Sequence, residues 1–100
     1  MHYLWMFLAG ALLCNGIPHL AAGLRGEAFP TPFAKPPGRG DSSPLVNVLW
    51  GSINVFAGVA LAAGQWSSLH ATSAAVAGLG WLATGIFLAL HFGAVRARRG

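Results

Sequence analysis

Charge is what this chain has least of. Only eight of its 100 residues are Asp, Glu, Lys or Arg, and the only carboxylates are Glu27 and Asp41. Eight charges cannot supply the surface of a water-soluble helical protein of this length. The shortage of carboxylates also excludes paired-carboxylate acid–base chemistry, and no Ser-His-Asp spacing is present. Cysteine is nearly absent: Cys14 stands alone, so no disulfide can form within the chain. It lies in an apolar run and reads as a small packing residue. Leu12-Leu13 before it do not fit a lipoprotein cleavage site, and Met1-His2-Tyr3 lacks a basic n-region, so the first apolar run is expected to stay in place. Gly38-Arg39-Gly40-Asp41 is not preceded by a strand and contains no Gly-Lys-Ser/Thr, which rules out a phosphate-binding loop. Its Arg-Gly-Asp falls on the side read below as cytoplasmic, away from adhesion receptors.

What the chain does have is long apolar stretches: 55% of its residues are hydrophobic. Three uncharged runs, about residues 3–24, 44–64 and 71–95, each match the ~20 residues that a helix needs to cross ~30 Å of hydrocarbon. The fold class expected is all-α: a three-helix transmembrane bundle in a single integral membrane domain, residues 1–100, with a proline-rich loop over 25–43. The net charge of +4 does not indicate nucleic acid, because the basic residues are confined to segments flanking apolar runs. They fit topology signals and contacts to anionic headgroups.

The first run opens on the interfacial aromatics Tyr3 and Trp5 and contains Cys14-Asn15-Gly16-Ile17-Pro18-His19. Pro18 cannot donate to the carbonyl four residues back, so a kink or a short unwound piece is expected there. In the loop, Phe29-Pro30-Thr31-Pro32-Phe33 predicts an ordered, polyproline-like cap laid back on the bundle. Ser43 and Pro44 suit the N-cap and first position of the second helix. The short 65–70 link predicts that the second and third helices are antiparallel neighbours.

Within the second run, Asn47, Gly51, Asn54 and Gly58 fall on one stripe at helical spacing. Lipid cannot satisfy a carboxamide, so this stripe should face protein. The third run offers Gly78 and Gly85 for close packing, and Thr84 and His91 on an adjoining polar side. In an oligomeric channel or transporter, the Asn47–Gly58 stripe, with Gly51 and Gly58, or the Gly78/Gly85 stripe would be the subunit contact.

All six Lys and Arg lie in the 25–43 loop or after residue 95, and none lies before residue 25 or in the 65–70 link. The positive-inside rule then puts the N-terminus outside and the loop and tail in the cytoplasm, consistent with a bacterial inner membrane. Helical rise places His19 roughly 7 Å, Asn15 about 13 Å, Asn47 about 4 Å, Asn54 about 15 Å and Thr84 about 16 Å from the cytoplasmic ends. Asn15, His19, Asn47, Asn54 and Thr84 are therefore the candidate ligand cluster, with Phe29–Phe33 as its lid and the outer half almost purely apolar. Two readings of the cluster are open: hydrogen bonds that fix helix register, or a functional intramembrane site. No cofactor is required. His19 and His91, at similar depth on parallel helices, are the one pair that would ligate a haem b or begin a metal site. His2 and His70 lie at the opposite side.

Asn15-Gly-Ile-Pro-His19, Phe29-Pro-Thr-Pro-Phe33 and Ser43-Pro-Leu-Val-Asn-Val-Leu-Trp50 together resemble the small three-span integral membrane proteins of bacterial genomes. The resemblance covers residues 15–50 and implies no activity. The functional expectation is an accessory or self-associating membrane subunit, a homo-oligomer or one attached to a larger membrane partner, with no catalytic residue assigned. An oligomeric channel or transporter for a small solute is the alternative.

Overall fold

A computed structural model describes residues 1–99. The chain is all-helical: α1 spans His2–Leu24, α2 Pro44–Gly64 and α3 Ala71–Arg99, and each is long and apolar enough to cross a membrane. The local chemistry explains the boundaries. Gly26, with φ +72°, lets the chain leave α1 in a left-handed turn. Glu27 N–H then reaches the carbonyl of Ala22 (2.9 Å) and Gly26 N–H that of Gly23 (3.0 Å), the paired bonds of a Schellman stop. Ser43 caps α2 by accepting from Val46 N–H, and Pro44 takes the first turn, where its missing donor is not needed. At the start of α3, His70 and Ser73 exchange backbone-to-side-chain bonds, His70 N–H to Ser73 Oγ and Ser73 N–H to His70 Nδ1, in a reciprocal box.

Three expectations are corrected. Of the kink or short unwound piece expected at Pro18, the unwound piece is absent, since α1 runs unbroken through it. The loop is ordered but not polyproline: β1 (Phe29–Pro30) pairs antiparallel with β2 (Asp41–Ser42), and the segment between them closes in turns. Gly38, with φ +70°, returns its N–H to the carbonyl of Thr31. Nor are α2 and α3 neighbours. Each packs on α1, which lies between them, and they make almost no contact with each other. The link Gln65–His70, with a 3-10 turn over Trp66–Ser68, is long enough to step across α1.

Glycines make α1 the central helix. A methyl group at Gly16 would meet the Gly51 carbonyl at 2.8 Å, and one at Gly58 would meet the Ala9 carbonyl at 2.9 Å. Against α3 the fit is tighter: a Cβ at Gly10 would fall 1.8 Å from the Ala77 carbonyl, and one at Gly80 would fall 2.0 Å from that of Phe7. Backbones this close gain dispersion and weak Cα–H···O contacts that larger residues would prevent. Gly51 and Gly58 therefore pack within the chain, so this stripe is not a subunit contact. On α3 the close-packing glycine is Gly80. A Cβ at Gly78 would meet nothing within 4 Å, and one at Gly85 would meet only Cys14 Sγ at 3.5 Å.

Large side chains point outward. Leu49, Ile53, Phe56, Leu82, Ile86 and Leu90 are all more than half exposed, while the largest fully buried side chains among the described residues are Asn47, Thr31 and Ser73. A molecule with amides and hydroxyls inside and leucines outside suits a hydrocarbon solvent.

Candidate functional site

The polar side chains sort into two groups, one at each end of the helices. At the loop end Asn47, 0% exposed, is the centre. Its Nδ2 faces three carbonyls, those of Phe29 (3.0 Å), Ser42 (3.2 Å) and Ser43 (3.0 Å). Carbonyls only accept, so the amide orientation is fixed and Oδ1 must face the other way. There it lies 2.8 Å from Nδ1 of His19. Nδ1 therefore carries the proton and donates, and a neutral ring presents Nε2 as a bare lone pair. That nitrogen has no hydrogen-bond partner in the described residues. Asn47 thus joins α1, α2 and the loop and selects the imidazole tautomer.

One turn deeper, Asn15 Nδ2 donates to Asn54 Oδ1 (2.9 Å), and Asn54 Nδ2 donates to the Trp50 carbonyl (2.8 Å). Thr84, half-buried on α3, enters none of these bonds. The structure therefore brings together four of the five cluster residues, in two bonded pairs, and leaves Thr84 apart.

His19 is set among aromatic rings. Phe29 lies 5.5 Å away, Phe92 6.3 Å and Trp50 6.5 Å by centroid, all at steep angles to the imidazole. Because α2 and α3 stand apart, Trp50 and Phe92 border a cleft with α1 as its floor and the loop as its roof. The resulting cavity, about 350 Å³, is lined by Asn15 and His19 of α1, Trp50 of α2, Phe87, Leu88, His91 and Phe92 of α3, and loop residues 30–32, 37 and 38. Its size falls in the range of small-molecule sites. No Asp, Glu, Lys or Arg lines it. Phe87 and His91 lie nearly parallel, 11° apart, along one wall. Trp50 contributes the one buried side-chain nitrogen or oxygen among the described residues without a hydrogen-bond partner, its Nε1. Phe33 sits edge-to-face against that indole at 5.0 Å.

The roof is fastened at several points. Thr31, 1% exposed, bonds Ser42 Oγ (2.5 Å) and accepts from Phe33 N–H, and its carbonyl accepts from Ala34 and Gly38 N–H. His91 Nε2–H donates to the Gly38 carbonyl (2.7 Å), tying the loop to α3. His19 and His91 thus share one cavity. His91 spends Nε2 on the loop, however, and among the described residues no three His, Cys, Asp or Glu gather as a metal site. Beside the loop a second hollow, about 570 Å³, holds Arg25, Glu27, Asp41, Arg96 and Arg99. Arg25 pairs with Glu27 and Arg99 with Asp41, all substantially exposed.

The opposite end corrects the expectation of an almost purely apolar half. There His2 donates from Nδ1 to Gln65 Oε1 (2.7 Å), and its Nε2 lies 2.6 Å from Ser73 Oγ. Tyr3 and His70 sit alongside. The order hydroxyl–imidazole–amide has the form of an activated serine, but Ser73 is 0% exposed and already serves the α3 cap. It is a staple joining the starts of α1 and α3 to the link. The staple was not read from the sequence, although two features could have signalled it: His2 and His70 fall at the same end, and Ser73 sits at capping distance from His70.

Fold and site together define a class: among the described residues, three helices of membrane-crossing length, with an uncharged, aromatic-lined cavity bordered on one side by a proline-rich loop. Compared with protein-family models, curated proteins and solved structures, the chain matches none.

Proposed function

We propose that this chain is a small integral membrane binding protein, which takes up a neutral small molecule from the bilayer into the cavity beneath the proline-rich loop. The observation that carries this reading is the His19–Asn47 pair. A buried histidine held in one tautomer, with its second nitrogen facing uncharged space, is more than helix packing requires. The gap between α2 and α3 gives a side entrance from lipid, and the absence of charge in the lining matches a solute that partitions there. The basic loop and tail support an orientation with the N-terminus outside and the cavity toward the cytoplasm, in a bacterial inner membrane.

Native mass spectrometry of protein released from lipid tests this. A small lipophilic adduct is expected on the wild type and should be lost in Leu88→Trp, which fills the cavity. A wild type that carries no adduct, even after incubation with total lipid extract, overturns the reading.

Self-association is the second reading, favoured by the uncovered Gly78 and the bare outer face of α3. Gly78→Leu should then reduce the oligomer mass in detergent. An unchanged mass, or a wild-type monomer, removes it.

A further inference from the structure

Resting on the binding reading above, we infer that the cavity selects a planar, ring-bearing molecule with a free hydroxyl group, a phenol or a ring-bearing alcohol. Two hydrogen-bonding groups of the cavity lining are left unmet by the chain itself. His19 Nε2 is an acceptor because Asn47 holds the proton on Nδ1. It therefore calls for a ligand donor. Trp50, on the same lining, carries a buried donor with no acceptor, Nε1–H, which a ligand lone pair would satisfy. A hydroxyl is the smallest neutral group that donates to His19 Nε2 and still keeps a lone pair for a second donor. An ether or ketone oxygen supplies only the lone pair, and leaves His19 unmet.

The walls exclude charged alternatives. With no Asp, Glu, Lys or Arg in the lining, a carboxylate or ammonium would enter with no counter-charge and at a heavy desolvation cost. They also favour flat molecules. The near-parallel Phe87 and His91 rings make one face, and Phe92 meets His91 at 5.0 Å, so a planar ring slides along aromatic faces at low cost. The proline-rich roof, held by Thr31 and by the His91–Gly38 bond, fixes the depth at which the polar end stops.

The test is equilibrium dialysis of β-naphthol, its methyl ether and β-naphthoate against the full chain in phosphatidylcholine nanodiscs, each corrected for uptake by empty discs. β-Naphthol is expected to bind saturably and about tenfold more tightly than its ether, the worth of one buried hydrogen bond. β-Naphthoate is expected to show no saturable uptake. In His19→Phe the preference for the hydroxyl should fall to within about twofold while ether binding holds. Trp50→Phe, which leaves the Asn47–His19 pair intact, removes a donor that either oxygen can meet, so naphthol and ether should weaken together by about threefold with the preference kept. A preference lost there overturns the role of Nε2 even if His19→Phe fails to fold by circular dichroism. Equal binding of naphthol and ether to the wild type overturns the hydroxyl inference but leaves the cavity reading standing. A preference unchanged in folded His19→Phe overturns the role of Nε2, and saturable binding of none of the three overturns both readings.

Discussion

Asn47 makes four hydrogen bonds with no access to solvent. Asn47→Ala strands three carbonyl contacts and the His19 N–H at once. At ~0.6 kcal/mol or more for each bond in a membrane interior, the loss should reach about 2–4 kcal/mol, read as a lowered unfolding midpoint in detergent. Gly80 and Gly78 are two positions apart yet should respond oppositely. Gly80→Ala drives a methyl into the Phe7 carbonyl, where helical backbone cannot yield, and should cost about 2–3 kcal/mol. Gly78→Ala meets open space and gains helix propensity, so it should be neutral or stabilising by up to ~1 kcal/mol. Thermal unfolding of the two variants side by side checks the contrast.

Among the elements, the loop depends most on a few side chains. Phe29 is held between Phe92 at 4.7 Å and His19, while Thr31 bonds β2 through Ser42 and orients the turn that follows. Thr31→Val keeps the shape but removes the hydroxyl that accepts from Phe33 N–H and bonds Ser42. Residues 33–38 should then exchange amide hydrogens about tenfold faster, with α1 and α2 unchanged. Uniform acceleration across all elements would mean that the loop is no separate roof. The cap of α2 is a more local device: Ser43→Ala should cost about 1 kcal/mol and free only the Val46 amide.

At the scale of the whole molecule, polarity is inverted, with small and polar residues inside and leucine, isoleucine and phenylalanine outside. The chain should resist carbonate extraction and require detergent. The proposed orientation is checked with single cysteines in a Cys14→Ala background. Ser67→Cys should react with an impermeant maleimide added outside intact cells, and Arg39→Cys only after lysis; the reverse pattern inverts the topology.

The three spans, the caps at Ser43-Pro44 and the pairing of the Asn stripe with protein were legible in the sequence, because hydrocarbon thickness, helical period and unmet amides are local or periodic constraints. The polar candidates were legible as a set, since Asn15, His19, Asn47 and Asn54 sit at depths that rise alone predicts. Which pairs with which was not legible. That Asn47 rather than Asn54 holds His19, that Thr84 stands apart, and that the packing glycine of α3 is Gly80 depend on rotation and crossing of helices, which one-dimensional spacing leaves free. Nor could the link between α2 and α3 reveal that α1 comes between them, because six residues suffice either to turn back or to step across. Residue type and period determined the lipid-facing surface and the polar seam. Backbone approach at the contact glycines, a property of pairs of helices, decided how the helices cross, and the Asn47–His19 bond decided which nitrogen of His19 is left free.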